Sequence, residues 1–206
     1  MQNWMQQLFG TSPWEAAAVL LALAYLLLAV RRSLWSWPCA LVSAVIYLVL
    51  FAREALYMQT LLQVFYIGMA VYGFFEWRRG RTVSGQVAIS SRPVFWHVTR
   101  IAAVLVAGTV NGWLLTRYSS AQAPYLDSFV TWGSVLTTWM VARRIIENWL
   151  YWVVFDSVAA YLYFSQGLHA TALLFVAYVG IVIHGYGVWL REQRAQRAAA
   201  SVQPAL

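Results

Sequence analysis

The sequence predicts an all-α integral membrane protein, a single domain over 1–206 with seven transmembrane helices in a three-one-three parallel arrangement of two three-helix bundles and one linker helix. Three observations predict it. Hydrophobic residues make up 62% of the chain and charged residues 10%, with a mean hydropathy of +0.62, far from the composition of a soluble domain. Seven apolar runs approach the roughly 20 helical residues needed to cross a hydrocarbon core of about 30 Å. A shift of 112 residues lays the first three runs over the last three.

The first run, 14–30, follows "MQNWMQQLFGTSP", which has no Lys or Arg. A secretory signal needs a positive n-region there, so this run is expected to stay as a helix. The second and third runs, 34–51 and 57–77, complete the first bundle over 14–77. The fourth, 94–115, stands alone as the linker, and the runs 126–142, 149–164 and 168–190 make the second bundle over 126–190. The polar, Ala-rich remainder, 191–206, reads as a frayed cytoplasmic tail.

All 14 basic residues are arginine and the net charge is +7. In a soluble protein that would raise nucleic acid as a partner. Here the arginines sit between apolar runs, where they set orientation, so no nucleic-acid partner is expected. Arg31, Arg32, Arg78, Arg79, Arg81, Arg92, Arg143, Arg144, Arg191, Arg194 and Arg197 all follow odd-numbered runs, which puts the N-terminus outside and the C-terminus in the cytoplasm. The lone Cys39 excludes an internal disulfide and a CxxC site. No catalytic motif, nucleotide-binding loop or metal-ligand spacing is present, so neither an enzyme nor a cofactor is expected.

The repeat is carried by residues that are costly to match by chance. Arg31 falls on Arg143, Arg32 on Arg144, Trp37 on Trp149, Tyr66 on Tyr178, Gly68 on Gly180, Gly73 on Gly185 and Trp77 on Trp189. A single linker crossing leaves both bundles in the same orientation, related by a pseudo-twofold axis along the membrane normal.

The candidate site lies in the sixth run. Asn148, Trp152 and Asp156 fall within an arc of about 80° on a helix, and Asp156 is about 12 Å of rise above Asn148, near the bilayer midplane. A carboxylate there marks a polar interior or a substrate path; the alternative is a structural hydrogen bond to a neighbouring helix. For Asn148, capping competes with ligand contact. The matching residues of the first bundle, Ser36, Ala40 and Ala44, are small, as expected if one bundle supplies groups and the other supplies room. Gln59, Gln63 and Tyr66 share one face of the third run, where ligand contact competes with bonding between helices. Trp149 and Trp139 are further candidate rings, Trp139 competing with bilayer-facing packing. Trp37, at a helix end in the first bundle, is expected to take no part in binding.

The stretches "LYMQTLLQVFYIGMAVYGFFEW" at 56–77, "LDSF" at 126–129 and "RRIIENWLYWVVFD" at 143–156 resemble the PnuC family of bacterial vitamin transporters. The resemblance runs over nearly the whole of 14–190. It rests most on Gln63, the Tyr72–Gly73 pair and the Glu147–Asn148–Trp149 triplet. It implies a homotrimer in the bacterial inner membrane and uptake of an unphosphorylated vitamin precursor by facilitated diffusion, with trapping by phosphorylation. Nicotinamide riboside carriers of this kind have Asn four residues after the tryptophan equivalent to Trp152, and this chain has Asp156. Nicotinamide riboside is placed first and thiamine, also a cation, second; a vitamin-binding subunit of an ATP-driven importer is the rival class.

Overall fold

The computed structural model describes residues 13–53, 57–80, 88–119, 124–165 and 169–202. Within them the chain forms α1 (Pro13–Val30), α2 (Ser36–Arg53), α3 (Tyr57–Arg79), α4 (Val94–Tyr118), α5 (Pro124–Ala142), α6 (Asn148–Ser165) and α7 (His169–Val202). Consecutive packing joins α1 to α2, α2 to α3, α5 to α6 and α6 to α7, while α4 lies against α5. The two bundles meet twice, α3 on α5 and α1 on α7. By length and hydropathy alone α1, α2, α4 and α7 qualify as membrane spans. The other three carry the polar side chains Gln63 (α3), Ser134, Thr137 and Thr138 (α5), and Asp156 (α6).

The connections after α1 and α5 are alike. Arg32 (φ 54°) and Arg144 (φ 60°) are left-handed. Arg32 donates its N–H to Ala29 O and Ser33 to Leu28 O, while Arg144 donates to Val141 O and Ile145 to Met140 O. This is the Schellman closure, which usually takes glycine at the left-handed position; a side chain there costs about 1–2 kcal/mol. Each arginine has compensating contacts. Arg32 pairs with Glu192 at 3.1 Å, and Arg144 reaches the Glu76 carboxylate at 3.2 Å and carbonyl at 3.0 Å. Arg143 also pairs with Glu76, at 3.1 Å, and donates to the Tyr72 hydroxyl. The Tyr72 hydrogen bond raises the Arg143 pKa, whereas burial lowers that of Arg144 against the pull of Glu76. Both stay cationic. Three of these arginines thus do more than orient the chain: all three are ion-paired, and two of them, Arg32 and Arg144, also close helices.

At the same end four tryptophans make one chain of rings. Trp37 meets Trp77 edge-on at 5.3 Å, Trp77 meets Trp189 at 6.1 Å, and Trp189 meets Trp149 edge-on at 5.4 Å. All four are at most 1% exposed. Trp77 donates its indole N–H to Val141 O in the other bundle, and Trp189, 112 residues on, donates to Ala29 O and Val30 O in the first. Gly73 and Gly185 make room: a Cβ on Gly73 would fall inside contact with the Trp37 ring, and one on Gly185 would lie 2.9 Å from Trp149.

The segment after Leu190 is not a frayed tail. Alanine-rich sequence favours helix, and α7 runs on to Val202. Gln193 is buried, and the Gln196 side chain accepts the Ile89 N–H at 3.1 Å, tying α7 to the strip that leads into α4. That strip also pairs with the α5–α6 turn, through Ser90 N–H to Arg144 O and Ile146 N–H to Ser90 O, both 2.9 Å.

Gly73→Ala is expected to destabilise the protein by about 1–3 kcal/mol, the cost of overpacking a fixed ring. Gly68→Ala, where a Cβ meets nothing within 4 Å, is the control and leaves the melting temperature in detergent unchanged. Equal melting of the two variants would contradict the ring's fixed position.

Candidate functional site

Above the tryptophan chain lie two cavities that share a wall. The larger, about 270 Å³, is lined by Tyr25, Trp37, Tyr47, Gln63, Tyr66 and Thr138 together with the small residues Ala22, Ala40, Ser43, Ala44 and Ala70. The smaller, about 180 Å³, is lined by Leu26, Ala29, Val141, Trp149, Asp156, Tyr178 and Val182. Ala22, Tyr25 and Trp152 belong to both. The two are related by the 112-residue shift: Trp37, Ala40, Ala44, Tyr66 and Ala70 in one answer to Trp149, Trp152, Asp156, Tyr178 and Val182 in the other. The difference between them is the one expected from sequence, with small residues on the α2 side where α6 carries Trp152 and Asp156.

Five of the candidate residues line one cavity or both, and two do not. Gln63 and Tyr66 line the larger cavity, Trp149 and Asp156 the smaller, and Trp152 both. Trp139 does not reach either. It stacks on Trp96 at 6.1 Å and lines an outer groove of about 390 Å³ with Arg100, Trp132 and Phe65; its neighbour Thr138, 100° away on the helix, takes the inward position. Asn148 is fully buried outside both linings. Its amide donates to Ile145 O at 2.6 Å, while its carbonyl oxygen finds no hydrogen bond. The Gln59 side chain lies outside the described residues.

Asp156 is 9% exposed and faces the smaller cavity. It forms no ion pair or hydrogen bond with any described residue, in contrast to Glu76, Glu147 and Glu192, which all do. A carboxylate so placed can accept hydrogen bonds from a ligand or its waters, or balance a cationic ring. Ser43, by contrast, uses its hydroxyl on Ala18 O at 2.8 Å. Trp37 corrects an expectation: it lines the larger cavity as well as anchoring the ring chain. Ala22 and Tyr25, on α1, were missed, because α1 is apolar on every side and offers no contrast from which to read an inward face.

Residues 12–191 match the family model described as nicotinamide mononucleotide transporter. The chain belongs to this family, the PnuC family. Members similar to it include the riboflavin/roseoflavin transporter RibM of Streptomyces davaonensis, 30% identical over 90% of this chain and 89% of that one. The nicotinamide riboside transporter PnuC of Escherichia coli K12 is 21% identical over 90% of this chain and 88% of its own. A crystal structure of the vitamin B3 transporter PnuC matches with a TM-score of 0.74 and 19% identity, covering 93% of this chain and 86% of that one. The PnuC fold therefore holds over the matched span, and the relatives are transporters.

Trp152→Ala removes one of the two rings common to both cavities and is expected to weaken ligand binding by about 1–3 kcal/mol, the scale of ring stacking. Trp132→Ala, in the outer groove, leaves affinity unchanged. Calorimetric titration of the purified variants with a bound vitamin reads the difference, and equal losses would mean that the ligand does not sit between the cavities.

Proposed function

We propose that this chain is a passive carrier for an unphosphorylated vitamin with a flat aromatic ring, a riboflavin-type flavin before nicotinamide riboside. The observation that carries the reading is the pair of cavities meeting at Trp152, an aromatic-walled space inside a fold whose relatives transport vitamins. In the larger cavity the polar side chains are neutral, Gln63, Tyr25, Tyr47, Tyr66 and Thr138, which suits the amide-like edge of an uncharged ring. The riboflavin transporter relative is also more similar to this chain than the nicotinamide riboside transporter, 30% against 21% identity. Asp156 favours the second reading, a cationic ring in the smaller cavity, and that reading admits thiamine as well as nicotinamide riboside. A flavin thus moves ahead of nicotinamide riboside and thiamine, the first and second choices drawn from sequence.

The proposed cycle is a rocking of the two bundles about a parallel pseudo-twofold axis, with the arginine-rich end in the cytoplasm and three copies in the assembly. At that end the pairs of Glu76 with Arg143 and Arg144, and of Arg32 with Glu192, join one bundle to the other. They sit with the tryptophan chain between the cavities and the cytoplasm, so release of the vitamin requires them to part. Phosphorylated forms are rejected because, among the described residues, neither cavity lining includes an arginine and a doubly charged phosphate leaves water only for a paired site. Net accumulation then depends on phosphorylation after entry, not on this chain.

Liposomes holding the purified protein are expected to equilibrate riboflavin without ATP or an ion gradient, faster than nicotinamide riboside or thiamine, and not to admit the mononucleotides. Asp156→Asn is expected to change the ratio of riboflavin to nicotinamide riboside affinity in favour of riboflavin, since it keeps shape and removes charge. Accumulation against a gradient would sink the passive reading. A variant that melts markedly lower while both affinities fall by one factor would make Asp156 a structural group.

A further inference from the structure

The helix α4 joins the two bundles in sequence, but its packing is one-sided. It carries Gly108 and Gly112 four residues apart, a spacing of small residues that lets two membrane helices approach closely. The neighbour that uses this approach is α5. A Cβ on Gly108 would fall inside contact with the Phe129 ring, and one on Gly112 would lie 2.9 Å from the Tyr125 Cα. Between the two glycines Asn111 donates to the Ser128 hydroxyl at 3.1 Å. Nearer the arginine-rich end Trp96 stacks on Trp139 at 6.1 Å.

The strip ahead of α4 holds to the same bundle. Ile89 N–H reaches Gln196 on α7 at 3.1 Å, and Ser90 exchanges backbone hydrogen bonds with Arg144 and Ile146. Glu147, just before α6, accepts from the Ser91 hydroxyl and the Arg92 N–H. On α4 itself His97 Nδ1 lies 2.9 Å from the Tyr151 hydroxyl of α6, and its Nε2 faces the Glu147 carboxylate at 4.0 Å. Contacts with the second bundle thus run from Ile89 to Gly112. Towards the first bundle α4 borders a groove of about 390 Å³, with Ala103, Val104 and Ala107 on its own wall and Phe65 of α3 on the other.

We infer that α4 is mechanically part of the second bundle, so that the carrier moves as three helices, 13–79, against four, 88–202. The inference rests on the rocking cycle proposed above and adds which helices travel together. Sliding α4 along α5 would drive Gly108 and Gly112 off the rings they fit and part Asn111 from Ser128 inside a membrane span, where an unpaired amide is costly. Moving α4 past α3 only widens or narrows a groove that lipid can fill. Packed interfaces shift as units between discrete arrangements, so the boundary between the moving bodies falls at that groove and follows α3 in sequence.

The test starts from the full-length protein with its one cysteine replaced, Cys39→Ser, and adds cysteine pairs that a short bifunctional methanethiosulfonate joins and a reductant releases. Two pairs lie inside the four-helix body, Asn111→Cys with Ser128→Cys and His97→Cys with Tyr151→Cys. A third spans the groove, Phe65→Cys with Val104→Cys, and a fourth joins the bundles at the arginine-rich end, Arg32→Cys with Glu192→Cys. Riboflavin uptake into liposomes is read for each protein joined and released, so that each serves as its own control. Joining either inner pair is expected to leave uptake unchanged, and one inner pair suffices if the other does not fold. Joining the groove pair or the fourth pair is expected to abolish uptake. Uptake lost on joining an inner pair, or kept on joining the groove pair, while the fourth link still blocks, would overturn the inference and leave the rocking cycle standing with α4 outside the second body. Uptake kept with the fourth pair joined would end the rocking reading itself, and this inference with it.

Discussion

The exchange of indole hydrogen bonds between the two bundles is the constraint on which the rest of the structure depends. Trp77 and Trp189 each cross to a carbonyl at the end of the opposite bundle's first helix. Those carbonyls are among the last of α1 and α5, groups a helix cannot satisfy internally. Ala29 O and Val141 O each accept one hydrogen bond from their own bundle, from the N–H of Arg32 and of Arg144, and the indole from the opposite bundle supplies the second that a carbonyl can accept, so each bundle's termini are fully met only with the other in place. The rings fix the glycines at Gly73 and Gly185, the glycines fix how closely α3 approaches α2 and α7 approaches α6, and this spacing sets the width of the cavities above.

The cavities follow from a division of labour among helices. The more apolar helices, α1 and α2, contribute alanines with Tyr25, Tyr47, Trp37 and Ser43, which shape a space without bringing charge to it. Those interrupted by polar residues, α3, α5 and α6, bring Gln63, Thr138 and Asp156 to its walls. Trp152 stands where the two regions meet. Substitution of a small residue by a large one at the equivalent place in the other bundle, Ala40, would close the larger cavity, so the inequality of the two halves is what leaves a space of usable size.

Most of the helix order was legible, because hydropathy reports the environment directly and matched tryptophans, glycines and arginines stand out against a background of interchangeable leucines. The inward face of α6 was legible for the same reason: Trp152 and Asp156 contrast with their neighbours. Face, however, does not give depth. Asn148 shares that face, yet as the first residue of α6 it lies below the cavities and bonds to Ile145 O. Trp139 and Thr138 are adjacent in sequence and diverge by one helical step, a difference too small for composition to resolve. Arg32 and Arg144 read as topology signals; their left-handed backbone was hidden, although the conserved spacing of the two arginine pairs at 112 residues was the available sign.

The reciprocity of Trp77 and Trp189 bears on how such a chain could have arisen. A contact in which each half completes the other is the contact of a symmetric homodimer, so an ancestral three-helix chain could have made the same bonds between two identical copies. Such copies would lie parallel in the bilayer, and fusing them end to end brings the end of one to the membrane face opposite the start of the next. Only an additional odd crossing can join them. On this view α4 is the crossing that such a fusion requires, and it lines neither cavity and takes no part in the ring chain.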